Sequence, residues 1–298
     1  MTLRHALKAT ERSLIHAAVR TTVRVGSALA PDRTAQSVAR RFFATARPPL
    51  AHRQFRGDPP AVDVRAVPDG QVTTYRWGDA ERPTVLLMHG WNGFAQQMEA
   101  FVAPLAARGF SVLAFDHVAH GASDGDATSL PVMIRSTEHV IDTTANVVGA
   151  IAHSLGAAAL ASVLSASRRL LAGAVLIAPP NDPRPYLRGM ARMLGAPESL
   201  LPQIQDHAEA HAGVPFERLV MKPWIARRIR TPLLVAHDVD DREVPIASGY
   251  SYTMGTAARM LATDGLGHTR ILRDRHVVET AAHFVTRGVR ADALAIAA

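Results

Sequence analysis

The chain has 298 residues, 48% of them apolar and 20% charged, and no cysteine. That length holds one large α/β domain or two small ones, and the composition is that of a globular chain rather than a disordered or fibrous one. Without cysteine there is no disulfide framework, thiolate nucleophile or thiolate metal site; a chain without disulfides fits a reducing cytosol.

The net charge of +7 is uneven. Residues 1–60 carry eleven cationic side chains against Glu11, Asp32 and Asp58, a balance of +8, which leaves the rest at −1. The high isoelectric point therefore reflects a basic arm on a near-neutral body. Nucleic-acid binding would need a basic face on the body and a recognisable module, and neither is present.

Residues 1–30 predict a helix. Leu3, Leu7, Leu14, Ala18, Val25 and Leu29 recur at three- and four-residue multiples, with Arg4, Lys8, Arg12, Arg20 and Arg24 largely off that stripe. Pro31 ends it, and a second helix is expected over 33–45, stopped by "RPP" at 47–49. Such an arm can pack on the body or lie on anionic lipid, and the sequence leaves both open. Charges interrupt the first twenty residues too often for a secretory signal, and no apolar run reaches membrane-spanning length. The expected location is the cytoplasm, with peripheral membrane contact through residues 1–30 as the alternative.

From residue 61 the pattern changes. "AVDVRAV" and "QVTTYRW" flank "PDG" and predict two strands and a turn. Short apolar runs then alternate with helical stretches: 84–89, 111–116, 146–152, 173–178, 232–237 and 258–263, with helices near 95–108, 128–143, 154–168, 246–254 and 274–286. Strands apolar throughout are buried on both faces, as in a mostly parallel sheet covered by helices on both sides. Between the 173–178 and 232–237 runs lie about fifty residues, too many for an ordinary connection. They predict a helical lid at about 180–229, inserted after the sixth strand. The expected division is a basic arm at 1–60 and a single α/β domain at 61–298.

In open parallel sheets ligands bind beyond the carboxyl ends of the strands. The run at 84–89 ends in His89-Gly90-Trp91-Asn92-Gly93, and that at 111–116 in Asp116 before "HVAHGASDG". Ser154 follows the 146–152 run in "IAHSLG"; "DVDDREVP" and "DGLGHTR" follow the last two. A serine, an acid and a histidine thus stand at strand ends in that chain order.

On these residues the sequence resembles the α/β-hydrolase superfamily, of the lidded serine esterase and lipase type, over about residues 61–290. The order Ser, Asp, His is the family's. The resemblance implies Ser154 as nucleophile, His268 in "GLGHTR" as base, and Asp241 in "DDREVP" as its orienting acid; Asp240 and Asp238 are near rivals for that acid. It implies an oxyanion hole from the backbone N–H groups of Trp91 and Leu155. "DHVAHGASDG" resembles the family's Asp-x-x-Gly-His-Gly-x-Ser loop, with Ala119 at the first glycine. The elbow departs from Gly-x-Ser-x-Gly at Ala152.

A serine hydroxyl is a weak nucleophile without an adjacent base, which is why these residue types are needed together. The implied activity is hydrolysis of carboxylic esters through an acyl-enzyme. Thioesters, lactones and lipid esters remain open, because one triad serves all of them. A hydrolase-fold protein that only binds ligands or membranes is the alternative of another class. No cofactor and no metal are expected; the acid-rich turn around Asp240 lacks calcium-loop spacing. His153, Met190, Met193, Phe216, Met221 and Trp224 are candidate pocket residues, with methionine suited to adaptable walls. The expected partner is a small-molecule or lipid ester.

Overall fold

The computed structural model describes residues 3–47, 54–167 and 170–289, with side chains from residue 15 onward. The chain forms two compact units, residues 45–181 with 221–298 and residues 1–44 with 182–220.

The larger unit is built on eight strands: β1 (Ala61–Val67), β2 (Gly70–Trp77), β3 (Thr84–Met88), β4 (Ser111–Phe115), β5 (Val147–His153), β6 (Gly173–Ile177), β7 (Leu233–Asp238) and β8 (Arg259–Thr263). Their order is β1-β2-β4-β3-β5-β6-β7-β8. β1 and β2 form the hairpin predicted around "PDG", β2 joins β4 antiparallel, and every pairing from β4 to β8 is parallel. This is the mostly parallel sheet expected from the apolar runs.

Side chains alternate across such strands. Leu86 and Met88 face one core with Ala150, Ala152, Leu176 and Val235; Val85 and Leu87 face the other with Ile151, Val175 and Leu234. In chain order the helices of this unit are α3 (Val102–Ala106), α4 (Leu130–Thr143), α5 (Ser154–Ala166), α8 (Pro223–Ala226), α9 (Ile246–Thr253), α10 (Gly267–Arg270) and α11 (Arg275–Thr286). α4, α5, α8 and α9 cover the first face, and α3 and α11 the second. The helix expected over 95–108 is a 3-10 segment, Ala95–Phe101, followed by the short α3.

The smaller unit corrects the expected division. It joins α1 (Leu3–Leu29) and α2 (Pro31–Phe43) to two helices of the insertion, α6 (Arg184–Met193) and α7 (Leu201–Ala212). The reason is apolar periodicity. Ala35, Val38, Ala39 and Phe43 line one face of α2 and pack with Leu187, Ile204, Ala208 and Phe216 into a core of their own. Neither stretch has a second face with which to bury that stripe.

The stripe expected on α1 is also corrected. Leu3, Leu7 and Leu14 lie outside the described side chains, and Ala18, Val25 and Leu29 are exposed. The face turned inward carries Val23, Gly26, Ser27 and Ala30. Gly26 explains the choice: a β-carbon there would stand 2.6 Å from Thr34 Oγ1 on α2. Small residues let the two helices approach, and the larger apolar residues are left outside. No described helix is long and apolar enough to cross a membrane.

Candidate active site

The site lies in the larger unit, at the carboxyl ends of β3, β4, β5 and β7. Ser154 is the residue on which β5 turns into α5, and its φ is +50°. A non-glycine residue in this left-handed region is strained and is held there by its surroundings. The surroundings are two close approaches. A β-carbon on Gly156 would stand 2.2 Å from the His89 carbonyl oxygen, and one on Gly90 would stand 2.6 Å from the Ser154 β-carbon. These two glycines bring the end of β3 against the first turn of α5. Ala152, the departure from the family pattern, is fully buried, with its methyl in the core.

Ser154, His268 and Asp241 form one hydrogen-bonded chain. The Ser154 hydroxyl lies 3.0 Å from His268 Nε2, and His268 Nδ1 lies 2.7 Å from Asp241 Oδ2. An ionised carboxylate only accepts, so Nδ1 carries the proton and Nε2 is left to accept from serine. Asp241 Oδ1 accepts the N–H groups of Glu243 and Val244 at 2.8 and 2.9 Å. Burial works to raise the Asp241 pKa, but the hydrogen bond from His268, the two N–H groups and the His268 charge outweigh it and hold the carboxyl below its ordinary value.

Of the rivals for the acid, Asp238 has a separate task. It is the last residue of β7, fully buried, and its Oδ2 accepts the Thr263 hydroxyl at 2.8 Å and the Leu266 N–H at 3.0 Å. It ties the loop that carries His268 to the end of the sheet. The sequence signal for this was a carboxylate closing an apolar strand. Asp240 is exposed.

The loops around Ser154 are braced by buried neutral histidines. His89 Nδ1 donates to the Gly90 carbonyl at 2.7 Å while its Nε2 accepts the His117 N–H at 3.1 Å. His120 Nδ1 donates to the Val118 carbonyl, and its Nε2 accepts the Asn92 N–H at 3.0 Å. Burial is the leading cause that lowers the His89 pKa to about 4 and the His120 pKa to about 3. Asp116 is buried beneath them, accepting from Ala95, Ala122 and the Tyr75 hydroxyl, and burial raises its pKa against those bonds. Ala119 has φ +66°, the conformation for which glycine is the low-strain residue, at the position where the resembling loop has glycine.

The candidate pocket residues are dispersed. His153 is buried, and its Nε2 donates to the His268 carbonyl at 2.9 Å, which braces the loop that carries His268. Phe216 is a core residue of the smaller unit and Met221 of the larger. Met190 packs on the smaller unit's core, while Met193 and Trp224 are 58% and 57% exposed. His207 pairs with Asp32 and His211 stacks on Phe43. Among the described residues no group of three or more His, Cys, Asp or Glu is placed to hold a metal.

This sheet, with a serine on a strained strand-to-helix turn and a histidine and carboxylate behind it, defines an α/β-hydrolase. Residues 79–238 match the family model described as serine aminopeptidase S33, more than half of the chain, and the protein belongs to that family. A human serine hydrolase-like protein is 31% identical over 71 residues, 24% of this chain and 34% of that protein. The match thus spans about a third of the curated relative's length. Rv0554 of Mycobacterium tuberculosis superposes with a TM-score of 0.60 at 18% identity, covering 78% of this chain and 100% of that one. Est1E of Butyrivibrio proteoclasticus, seen with ferulic acid bound, superposes with a TM-score of 0.58 at 15% identity, covering 76% and 98%. At these identities the two structures speak for the fold alone.

Proposed function

We propose that this hydrolase cleaves carboxylic esters through an acyl-enzyme on Ser154. The observation that carries the reading is the unbroken chain from Ser154 Oγ through His268 to Asp241, at 3.0 and 2.7 Å. His268 Nε2 takes the hydroxyl proton as Ser154 Oγ attacks the carbonyl carbon. Asp241 holds the imidazole in the required tautomer and stabilises the imidazolium. The tetrahedral intermediate collapses, the carbon–oxygen bond to the alcohol breaks, and His268 returns the proton to the leaving oxygen. Water then repeats the sequence on the acyl-serine, activated by the same base.

The resemblance to the family supplies the oxyanion hole, and the loop's hydrogen bonds are compatible with it. In His89-Gly90-Trp91-Asn92-Gly93, the Asn92 N–H is taken by His120 and the Gly93 N–H by the Gly90 carbonyl. The family resemblance assigns the hole to the Trp91 N–H, which neither of these bonds takes, and to that of Leu155 in the first turn of α5, where the helix dipole favours negative charge. One such donor is worth about 3–4 kcal/mol in the transition state.

Esters are favoured over amino-terminal peptides by the state of the carboxylates. An aminopeptidase needs an acid free to receive the substrate ammonium. Asp116, Asp238 and Asp241, the buried carboxylates at the strand ends, are each committed to several donors.

The test is turnover of p-nitrophenyl acetate, butyrate, octanoate and palmitate by the wild type and by Ser154→Ala. Loss of about 10⁴-fold or more in the variant is expected, and the best chain length sizes the acyl site. A wild type inert on all four esters but labelled at Ser154 by a fluorophosphonate would overturn the ester assignment and leave another acyl substrate, a thioester first. Absence of both overturns the enzyme reading.

A further inference from the structure

Three large exposed side chains of the larger unit lie on two helices in contact, α8 and α9. Trp224 on α8 is 57% exposed; Tyr250 on α9 and Met254, the residue that caps its carboxyl end, are 45% and 62% exposed. The Arg227 guanidinium lies beside the turn after α9: a β-carbon on Gly255 would stand 3.7 Å from its Nε. Arg227 and Arg228 form the exposed turn that directly follows α8, three and four residues after Trp224.

The charge around this patch has one sign. Residues 221–237 carry four cations and no acid, and residues 244–263 carry Arg259 and no acid, although the chain from residue 61 onward is near neutral. Arg227, Arg228 and Arg230 are exposed and pair with no carboxylate among the described residues. An exposed aromatic and methionine patch beside unneutralised arginines marks a surface that meets something.

Three occupants can be compared. A second copy would set arginine against arginine, which disfavours self-association. A nucleic-acid strand would take the cations and stack on the rings, but offers nothing to Met254, the most exposed of the three. A bilayer of anionic phospholipid satisfies both halves: its phosphates take the guanidinium forks, and tryptophan, tyrosine and methionine enter the interface beneath. We infer that α8 and α9 form a docking face for an anionic phospholipid surface.

The described side chains of α1, from residue 15 onward, do not offer such a face. At about 100° per residue, Arg20 and Arg24 lie on the side of α1 opposite its exposed Ile15, Val19, Val25 and Leu29. A flat surface can engage one set or the other, whereas α8 and α9 present both together. The inference is independent of the ester reading.

The test is co-sedimentation of the full chain with extruded vesicles of phosphatidylcholine, with or without phosphatidylglycerol at roughly 7:3. Binding to the mixed vesicles alone is expected, weakening as salt rises from about 50 to 500 mM. Arg227→Ser with Arg228→Ser, at an unchanged melting temperature, is expected to weaken it about 25-fold, about fivefold per arginine. Tryptophan emission is expected to shift to the blue on binding, and Trp224→Phe to abolish the shift. Three results overturn the inference: no binding to mixed vesicles, binding unaffected by the arginine pair, or displacement from the vesicles by a thymidine oligonucleotide.

Discussion

His153 Nε2 donates to the backbone carbonyl of His268 at 2.9 Å, and the two rings sit 4.6 Å apart, centroid to centroid. The residue before Ser154 therefore supports His268, and the end of strand β5 sets the position of both members of the Ser154–His268 hydrogen bond. Burial first, and the neighbouring His268 second, lower the His153 pKa to about 3, so the ring stays a neutral donor throughout the working range. Replacing it with Ala removes one buried hydrogen bond, worth about 1 kcal/mol. Steady-state kinetics of His153→Ala should show kcat down about five- to tenfold with KM little changed, and His153→Gln should recover part of the loss. An unchanged kcat in the alanine variant would make the contact incidental.

Asp238 performs the same service for the loop as a whole. Its carboxylate receives Thr263 and Leu266, and Asn would present an amide N–H where these donors point. The expected effect of Asp238→Asn is a fall in kcat of about 10- to 100-fold, equivalent to about 1.4–3 kcal/mol of lost positioning. Fluorophosphonate labelling of Ser154 should slow in parallel. A variant with wild-type labelling kinetics would show that the loop holds without the clamp.

Much of this arrangement was legible in the sequence because the physics was local. The strands of the sheet read as apolar runs because they are buried on both faces, and Ser154, Asp241 and His268 each follow such a run. What stayed hidden depends on pairings between distant segments. The inward face of α1 is set by one close approach, Gly26 against Thr34, and no periodicity distinguishes it from the larger apolar stripe left outside. That α2 shares a core with the insertion, rather than with the sheet, is a choice between two apolar surfaces separated by well over a hundred residues. His153 and Asp238 looked like a pocket residue and a spare acid because their partners lie beyond the next elements, 115 residues on for His153 and 25 and 28 for Asp238.

The glycine pattern of the elbow makes two opposite predictions. Gly156→Ala drives a β-carbon to 2.2 Å from a backbone oxygen that cannot move without shifting β3. Destabilisation of about 3 kcal/mol or more is expected, with loss of turnover. Ala152→Gly restores the family signature but removes a buried methyl from a strand and loosens the backbone, so a loss of about 0.5–1 kcal/mol with unchanged kcat is expected. Urea melts of the two variants check both, and a stabilised Ala152→Gly would show that the alanine strains the turn.

Acid stability follows from the buried histidines. Unfolded histidine titrates near 6.5, whereas His89, His120 and His153 titrate at about 4, 3 and 3 in the fold, chiefly because burial disfavours the cation. The unfolded chain therefore binds more protons than the native one between about pH 3 and 6.5. Stability is complete above 6.5 and is lost as the pH falls below it, by about 2 kcal/mol per histidine at pH 5. Melting temperatures should decline from pH 6.5 downward. A plateau extending to pH 5 would mean that these rings are not buried neutral groups.

The arm is expected to be half of a folding unit rather than a removable tail. Ala35, Val38, Ala39 and Phe43 are buried with Leu187, Leu200, Ile204 and Phe216, so deleting residues 1–44 strips the insertion of the surface on which its apolar side chains close. The sheet unit keeps both of its cores, since none of their buried residues comes from the arm. Limited proteolysis of the truncated chain should therefore cut within 182–220 while the sheet unit retains a cooperative melting transition. Phe43→Ala should do the same more gently, destabilising the helical unit by about 3–4 kcal/mol. If the insertion stays protected without the arm, its helices have another partner, and the shared core contributes little to holding them folded.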